Sequence, residues 1–339
     1  MAAKVQLLIT LALDDELVAR IRSVSPRIQA TVRPASSVDE IGRKQWESAE
    51  VLYTGNILPE ADWAPALRWI QFNSAGVDRV IEAPILQKKG LIATSLSGAN
   101  SAQVAEYVLM MLLALGHHLP VLLDYQRQSE WPKNRWKRFG PREMSQSTVG
   151  IVGYGSIGRQ IARLLSGFGA TVLAVKRNAM RPADEGYTPQ SQGDPEGDLV
   201  HRLYPPQALR AMLKECDFVV LALPYTPETH HSIGAEELGS MKPDAYLVDI
   251  SRGNILDHQA LIRALESGQI AGAALDVFPE EPLPKESPLW GLPNVILTPH
   301  LSGITPYYDQ RGVALFIENL NRYLADQPLL NQIDLQRGY

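Results

Sequence analysis

Short apolar runs rich in Val, Ile and Leu recur along the chain between longer, helical-looking stretches. They are Val5–Ile9, Val51–Tyr53, Trp69–Phe72, Val149–Val152, Val172–Val175, Phe218–Leu223, Tyr246–Ile250 and Val295–Leu297. Runs of this length and makeup read as strands buried on both faces, where neither side meets water. Interleaved with helices, they predict βαβ units around parallel sheets, an α/β fold. Helices are expected from Ala102 to about Leu115, over Arg159–Leu165, and from about Pro306 to Ala325. No internal repeat or low-complexity tract is present, which excludes solenoids.

Two segments read as joints. Ser95–Ser101 is small and polar and precedes the first long helix; Thr298–Gly303 closes a strand and precedes the last. The chain therefore leaves one lobe, builds a second and returns. The expected division is 1–98 plus 301–339 for the first lobe and 99–300 for the second. Each lobe is expected to be Rossmann-like or flavodoxin-like, with a parallel sheet and a cleft between the two. A third irregular stretch, Arg181–Pro206, is rich in Pro, Gly, Asp and Gln and reads as a surface insertion.

Composition narrows the class. A length of 339 residues suits two domains at roughly 150 residues each. Lys plus Arg number 32 against 37 Asp plus Glu, a net charge of -5, which argues against a nucleic-acid partner. The basic cluster Lys133, Arg135, Lys137, Arg138 and Arg142, with Trp131 and Trp136, reads as a solvated loop. Cys216 is the single cysteine, so no internal disulfide forms. The longest apolar run, Tyr107–Leu115, is about half a membrane span. It reads as buried core or a dimer contact. Asp14, Asp15 and Glu16 follow the first apolar run without a cleavage-like site, so a cytoplasmic protein is expected. No His, Cys, Asp or Glu spacing suggests a metal site.

The strand at Val149–Val152 runs into Gly153-Tyr154-Gly155-Ser156-Ile157-Gly158, then a helix, a Gly167-Phe168-Gly169 turn and a second strand. The first glycine permits a tight turn, the second lets a pyrophosphate approach the backbone, and the third lets helix and strand pack closely. The helix start offers N–H groups and a positive dipole end to phosphate. The second strand ends in Lys176 and Arg177, 18 and 19 positions after Gly158, where an acid would bind a ribose 2′-hydroxyl. Two cations instead suit a 2′-phosphate, which favours NADP(H) over NAD(H), with NAD(H) still open.

Three more strand ends carry polar residues: Ser251-Arg252-Gly253 after Ile250, Asp276 to Pro284 after Leu275, and Thr298-Pro299-His300 after Leu297. Ligands of open parallel sheets bind outside the carboxyl ends of strands, so a guanidinium, a carboxylate and an imidazole are expected to converge there. His117, His118, His230 and His231 fall at helix ends or in loops and need no such role.

With these motifs in place, the chain resembles the D-isomer-specific 2-hydroxyacid dehydrogenases, which include glyoxylate/hydroxypyruvate reductases. The likeness runs from Asn73-Ser74-Ala75-Gly76-Val77-Asp78 through Val104-Ala105-Glu106, the glycine fingerprint, Leu223-Pro224 and Thr226–Thr229 to the His300 segment. It implies that the first lobe binds substrate and the second binds the nicotinamide cofactor. Arg252 would hold the substrate carboxylate and carbonyl, His300 would transfer the proton, and Glu281, the acid directly before Pro282, would partner it; neighbouring Glu280 would not. Asp276 matches the family's acid near the nicotinamide amide. Leu223, Pro224, Thr229, Ile250, Ser251 and Gly303 would also line the cofactor, and Asn73, Ser74, Ala75 and Gly76 the substrate, with N–H groups near Ala75 and Gly76 on its carboxylate. A homodimer is implied as well.

The chemistry suits these residue types. Reduction of a 2-keto acid needs hydride at the carbonyl carbon and a proton at its oxygen. A planar guanidinium grips carboxylate and carbonyl oxygens as a fork. An imidazolium donates the proton, and a neighbouring carboxylate favours that charged form. Formate dehydrogenases resemble a variant with glutamine at the place of Glu281, so the acid argues against them. A phosphoglycerate dehydrogenase-like enzyme and a nucleotide-sensing corepressor on the same fold remain as alternatives. Tyr53, Leu58 and Trp136 are candidate pocket residues for the substrate side chain.

Overall fold

The computed structural model describes residues 4–339. The chain forms two compact units: residues up to Asn100 together with Thr305–Tyr339, and Ser101–Ile304. The breaks lie two and four residues beyond the joints expected from sequence (100 against 98, 304 against 300).

The first unit is built on β1 (Val5–Ile9), β2 (Ile28–Val32), β3 (Val51–Thr54), β4 (Trp69–Phe72) and β5 (Ile92–Thr94). All pairings are parallel, in the order β2-β1-β3-β4-β5. Every residue of β3 and β4 is buried, as strands covered on both faces require. The helix Tyr308–Leu324 closes one face, with Phe316 stacked on Tyr53 at 4.3 Å and tilted on Trp69 at 5.3 Å. Polar groups buried among these strands pair with one another: Trp69 Nε1 donates to Thr94 Oγ1 at 2.8 Å, and Asn319 Nδ2 to Gln71 Oε1 at 3.1 Å. Tyr53 is wholly buried in this core and so does not line a pocket, while Trp136 lies in the other unit at 83% exposure. For Tyr53, a position within a buried strand overrides the expectation.

The second unit holds β6 (Thr148–Val152), β7 (Thr171–Val175), β8 (Arg202–Tyr204), β9 (Phe218–Leu221), β10 (Tyr246–Asp249), β11 (Gly272–Leu275) and β12 (Val295–Leu297). Its order is β12-β11-β10-β9-β6-β7-β8, again all parallel. Strand order reverses between β6 and β9, which makes that junction the topological switch point of a Rossmann-type sheet. The helices Ser101–Gly116 and Ser156–Gly167 pack together on one face. Among the described residues, no single helix is long and apolar enough to cross a membrane.

The segment after β7 is largely exposed, as expected of a surface insertion, but it carries β8 and is anchored to the unit beneath it. Asp194 is buried and acts as its hub, accepting hydrogen bonds from the N–H groups of Asp198 and Leu199 and from the Tyr154 hydroxyl. Arg159, 1% exposed, donates to the carbonyls of Asp194 and Pro182 and lies over the Tyr154 ring, while Gln160 Oε1 accepts from Gly193 N–H. The segment is thus stapled to the first turns of the fingerprint helix, because buried polar side chains there need partners.

Candidate active site

The fingerprint turn sits at the end of β6. Gly153 has φ +109°, and a Cβ there would lie 2.5 Å from the carbonyl oxygen of Ala222, so only glycine fits. A Cβ on Gly158 would lie 2.3 Å from the Gly153 oxygen, which is the close approach expected of the third glycine. Around Gly155 nothing lies within 4 Å of an added Cβ, leaving open space directly above the N-terminus of Ser156–Gly167. Glycine backbone, helix dipole and open space together fit the pyrophosphate of a dinucleotide. Tyr154 is turned away from that space: its N–H donates to Val175 O at 3.1 Å and its hydroxyl to Asp194. Ile157 is partly buried against the core of this unit.

At the end of β7, Lys176 does not present a free ammonium. Its Nζ donates to the carbonyls of Arg181, Pro182 and Ala183 at 2.6, 3.1 and 2.7 Å, which uses all three of its donors. Burial, and then the nearby Arg159 guanidinium, lowers its pKa. Lys176 is a clamp on the following loop, and the adjacent Arg177 is the exposed cation. After β9, the loop carrying Leu223 and Pro224 is ordered by Thr229, whose Oγ1 donates to Pro224 O and accepts from Thr226 N–H, both at 2.8 Å.

The polar strand ends meet at β10, β11 and β12. Asp249 closes β10, and both the N–H and Oγ of Ser251 donate to its Oδ1, at 2.9 and 2.5 Å. Its Oδ2 is buried without a hydrogen-bond partner. Burial raises the Asp249 pKa to about 7 against the Ser251 hydrogen bonds, with Asp276 adding to the rise. Ile250 is buried, and Arg252 Nη1 donates to Ser251 O at 2.9 Å. A Cβ on Gly253 would lie 1.9 Å from the Phe278 carbonyl carbon. That contact seats the Arg252 turn against the loop that leads to Glu281.

Glu281, joined to Pro282 by a cis peptide bond, accepts from Phe278 N–H through Oε1 at 3.1 Å and meets His300 Nδ1 through Oε2 at 2.8 Å. His300 itself has φ +50°, an uncommon conformation for a residue with a side chain. Asp276, wholly buried, explains how it is held. The Asp276 carbonyl accepts from His300 N–H, Oδ1 from Leu301 N–H and Thr298 Oγ1, and Oδ2 from Ser302 N–H, all within 2.7–2.9 Å. Gly303 O accepts from Gln103 Nε2 at 2.7 Å. Sequence reasoning did not single out Asp249, Thr298, Tyr107 or Asp194 as site-forming groups. The signal for Tyr107 was its hydroxyl at the head of an apolar helical run.

In the first unit, the loop after β4 is pinned by Asn73, whose Oδ1 accepts from the Tyr53 hydroxyl at 2.8 Å and whose carbonyl accepts from that of Tyr308 at 3.0 Å. Ser74 Oγ donates to Gly76 O at 2.9 Å, and Ala75 is exposed at the tip.

Residues 109–302 match the family of the D-isomer specific 2-hydroxyacid dehydrogenase, NAD binding domain. A glyoxylate reductase of Thermococcus gammatolerans is 38% identical over 72% of this chain and 69% of its own length. Glyoxylate/hydroxypyruvate reductase B of Pectobacterium atrosepticum is 34% identical over 80% of this chain and 81% of its own. A D-isomer specific 2-hydroxyacid dehydrogenase from Xanthobacter autotrophicus Py2, solved with NADPH and MES, superposes with a TM-score of 0.80 at 29% identity, covering 100% of both chains. The chain belongs to the D-isomer specific 2-hydroxyacid dehydrogenase family. It is a nicotinamide-dependent oxidoreductase of that family.

Proposed function

We propose that this protein reduces a small 2-keto acid, glyoxylate to glycolate or hydroxypyruvate to D-glycerate, with NADP(H) preferred over NAD(H). The observation that carries this reading is the His300–Glu281 pair, 2.8 Å apart, with the His300 loop built around Asp276. Bound at the fingerprint, the nicotinamide supplies the hydride. Arg252 grips the substrate carboxylate and carbonyl oxygen and so orients the carbonyl carbon. His300, with Nδ1 turned to Glu281, keeps Nε2 for the carbonyl oxygen and gives it the proton; Glu281 stabilises the imidazolium before that transfer. Asp276, wholly buried, holds the loop that carries His300 and does not itself reach the nicotinamide amide as the family resemblance implied. The relatives' names, glyoxylate and glyoxylate/hydroxypyruvate reductases, support the choice of substrate.

For the cofactor's 2′-phosphate the reading rests on Arg177 alone, since Lys176 is committed to its own loop. The NADPH held by the Xanthobacter relative supports that preference. The protein is further read as a cytoplasmic homodimer without nucleic-acid or membrane partners. The net charge of -5 supports the absence of polyanion binding, and exposed Met110, Leu119 and Leu123 give an apolar face suited to a second copy.

Product stereochemistry tests the reading. With hydroxypyruvate and NADPH, chiral chromatography should find D-glycerate; L-glycerate, or cofactor binding without any product, would overturn it.

A further inference from the structure

Tyr107 is 6% exposed in the helix Ser101–Gly116, and its hydroxyl lies 2.6 Å from Thr298 Oγ1. Thr298 Oγ1 in turn donates to Asp276 Oδ1 at 2.7 Å. A threonine hydroxyl has one proton, and here it goes to the carboxylate. Tyr107 is therefore the donor of the first bond. The chain of donation runs from the helix, through the end of β12, to the carboxylate at the end of β11. That same carboxylate collects Leu301 and Ser302 N–H, and the Asp276 carbonyl takes His300 N–H. Nothing in the proposed chemistry uses the Tyr107 or Thr298 hydroxyl directly.

We propose that Tyr107 and Thr298 are positioning residues for the reaction, acting through Asp276 to fix the backbone of residues 300–302 and so the aim of the His300 imidazole. The inference rests on the reading of His300 as proton donor. Three features point to this role over simple core packing. His300 holds a positive φ, which persists only where surrounding bonds over-determine it. The side chain stands at the surface, 40% exposed, so its direction depends on the backbone beneath and on Glu281. A carboxylate that accepts two N–H groups one residue apart fixes that backbone as a unit, and a third donor at Oδ1 limits rotation of the carboxylate itself. Four titratable or charged groups face this point: Glu281 beside the imidazole, Asp276 beneath it, Asp249 at the neighbouring strand end, and Tyr107 from the helix. Burial lifts the Tyr107 pKa far above its ordinary value, so it stays a donor throughout the working range.

The test uses the full-length protein and four variants: Tyr107→Phe, Thr298→Val, Thr298→Ser and His300→Ala. Tyr107→Phe and Thr298→Val should each lower kcat for keto-acid reduction by about ten- to a hundredfold with little change in KM, the usual effect of a misplacement near 1 Å. Thr298→Ser retains the hydroxyl and should recover most of the rate. Amide hydrogen exchange without cofactor provides the second readout. Exchange over residues 300–303 should quicken in Tyr107→Phe and Thr298→Val, with β6 and β9 protected as in wild type. Wild-type kcat together with wild-type exchange in both hydroxyl-deleted variants would overturn the inference. So would Thr298→Ser losing as much rate as Thr298→Val. A fully active His300→Ala would instead overturn the reading on which the inference rests, whereas an inactive His300→Ala beside an unimpaired Thr298→Val would sink the inference alone.

Discussion

Replacing His300 with Ala removes the imidazole that Glu281 holds, and steady-state turnover should fall by about 10²- to 10⁴-fold, the usual contribution of a positioned acid. Retained turnover in a folded variant would remove His300 from the chemistry. Arg252→Lys keeps the charge and loses the planar fork, so kcat/KM should drop well beyond a few-fold, measured with the same keto acid. At this scale the sequence was informative where a residue's chemistry is declared by its neighbours. Arg252 is announced by Ser-Arg-Gly, and Gly253 proves to be a contact that no side chain could occupy. The choice of Glu281 over Glu280 agrees with which acid the imidazole meets. Lys176 was not legible. Its type and position suit a phosphate ligand, but its three donors are taken by carbonyls of a loop whose fold no local pattern reveals.

The β7–β8 connection is where an element-scale experiment is most informative. Lys176→Met strips the donors from the Arg181, Pro182 and Ala183 carbonyls, and limited proteolysis between 178 and 184 should accelerate. Arg177→Ala should leave that cleavage unchanged and lower the NADPH-to-NADH ratio of kcat/KM by about tenfold, the worth of one charge-assisted bond. An Arg177→Ala variant with the wild-type ratio would assign the preference elsewhere. The same scale shows which strands sequence reading recovers. The central β3, β4, β9 and β10 are buried at every position and appear as predominantly apolar runs. The edge strand β2 alternates exposed residues with buried or partly buried ones, β5 is three residues long, and β8 reads Arg-Leu-Tyr, so none stands out from a loop. Edges are covered on fewer sides and need less hydrophobicity.

Across the whole molecule, two parallel sheets follow from alternating apolar runs and helices, and the division of the chain follows from two small polar joints. What could not be read was the cost of burying Asp249. Its folded pKa of about 7 stands above the roughly 3.9 of an unfolded aspartate. Between those values the folded state binds the extra proton, so stability declines as pH rises from about 4 to about 7 and then levels off. Asp249→Asn removes that linkage. Its advantage in urea unfolding over wild type should grow across that interval, reaching a few kcal/mol, and remain constant above it. An advantage that is the same at pH 4.5 and pH 8 would show Asp249 to be ionised in the fold. The most direct measurement remains the oxidation of NADPH and of NADH by the wild-type protein, followed at 340 nm with a panel of 2-keto acids. Glyoxylate and hydroxypyruvate should turn over, with higher kcat/KM for NADPH. Tight cofactor binding with no turnover of any keto acid would contradict the reading and leave a nucleotide-binding protein without catalysis.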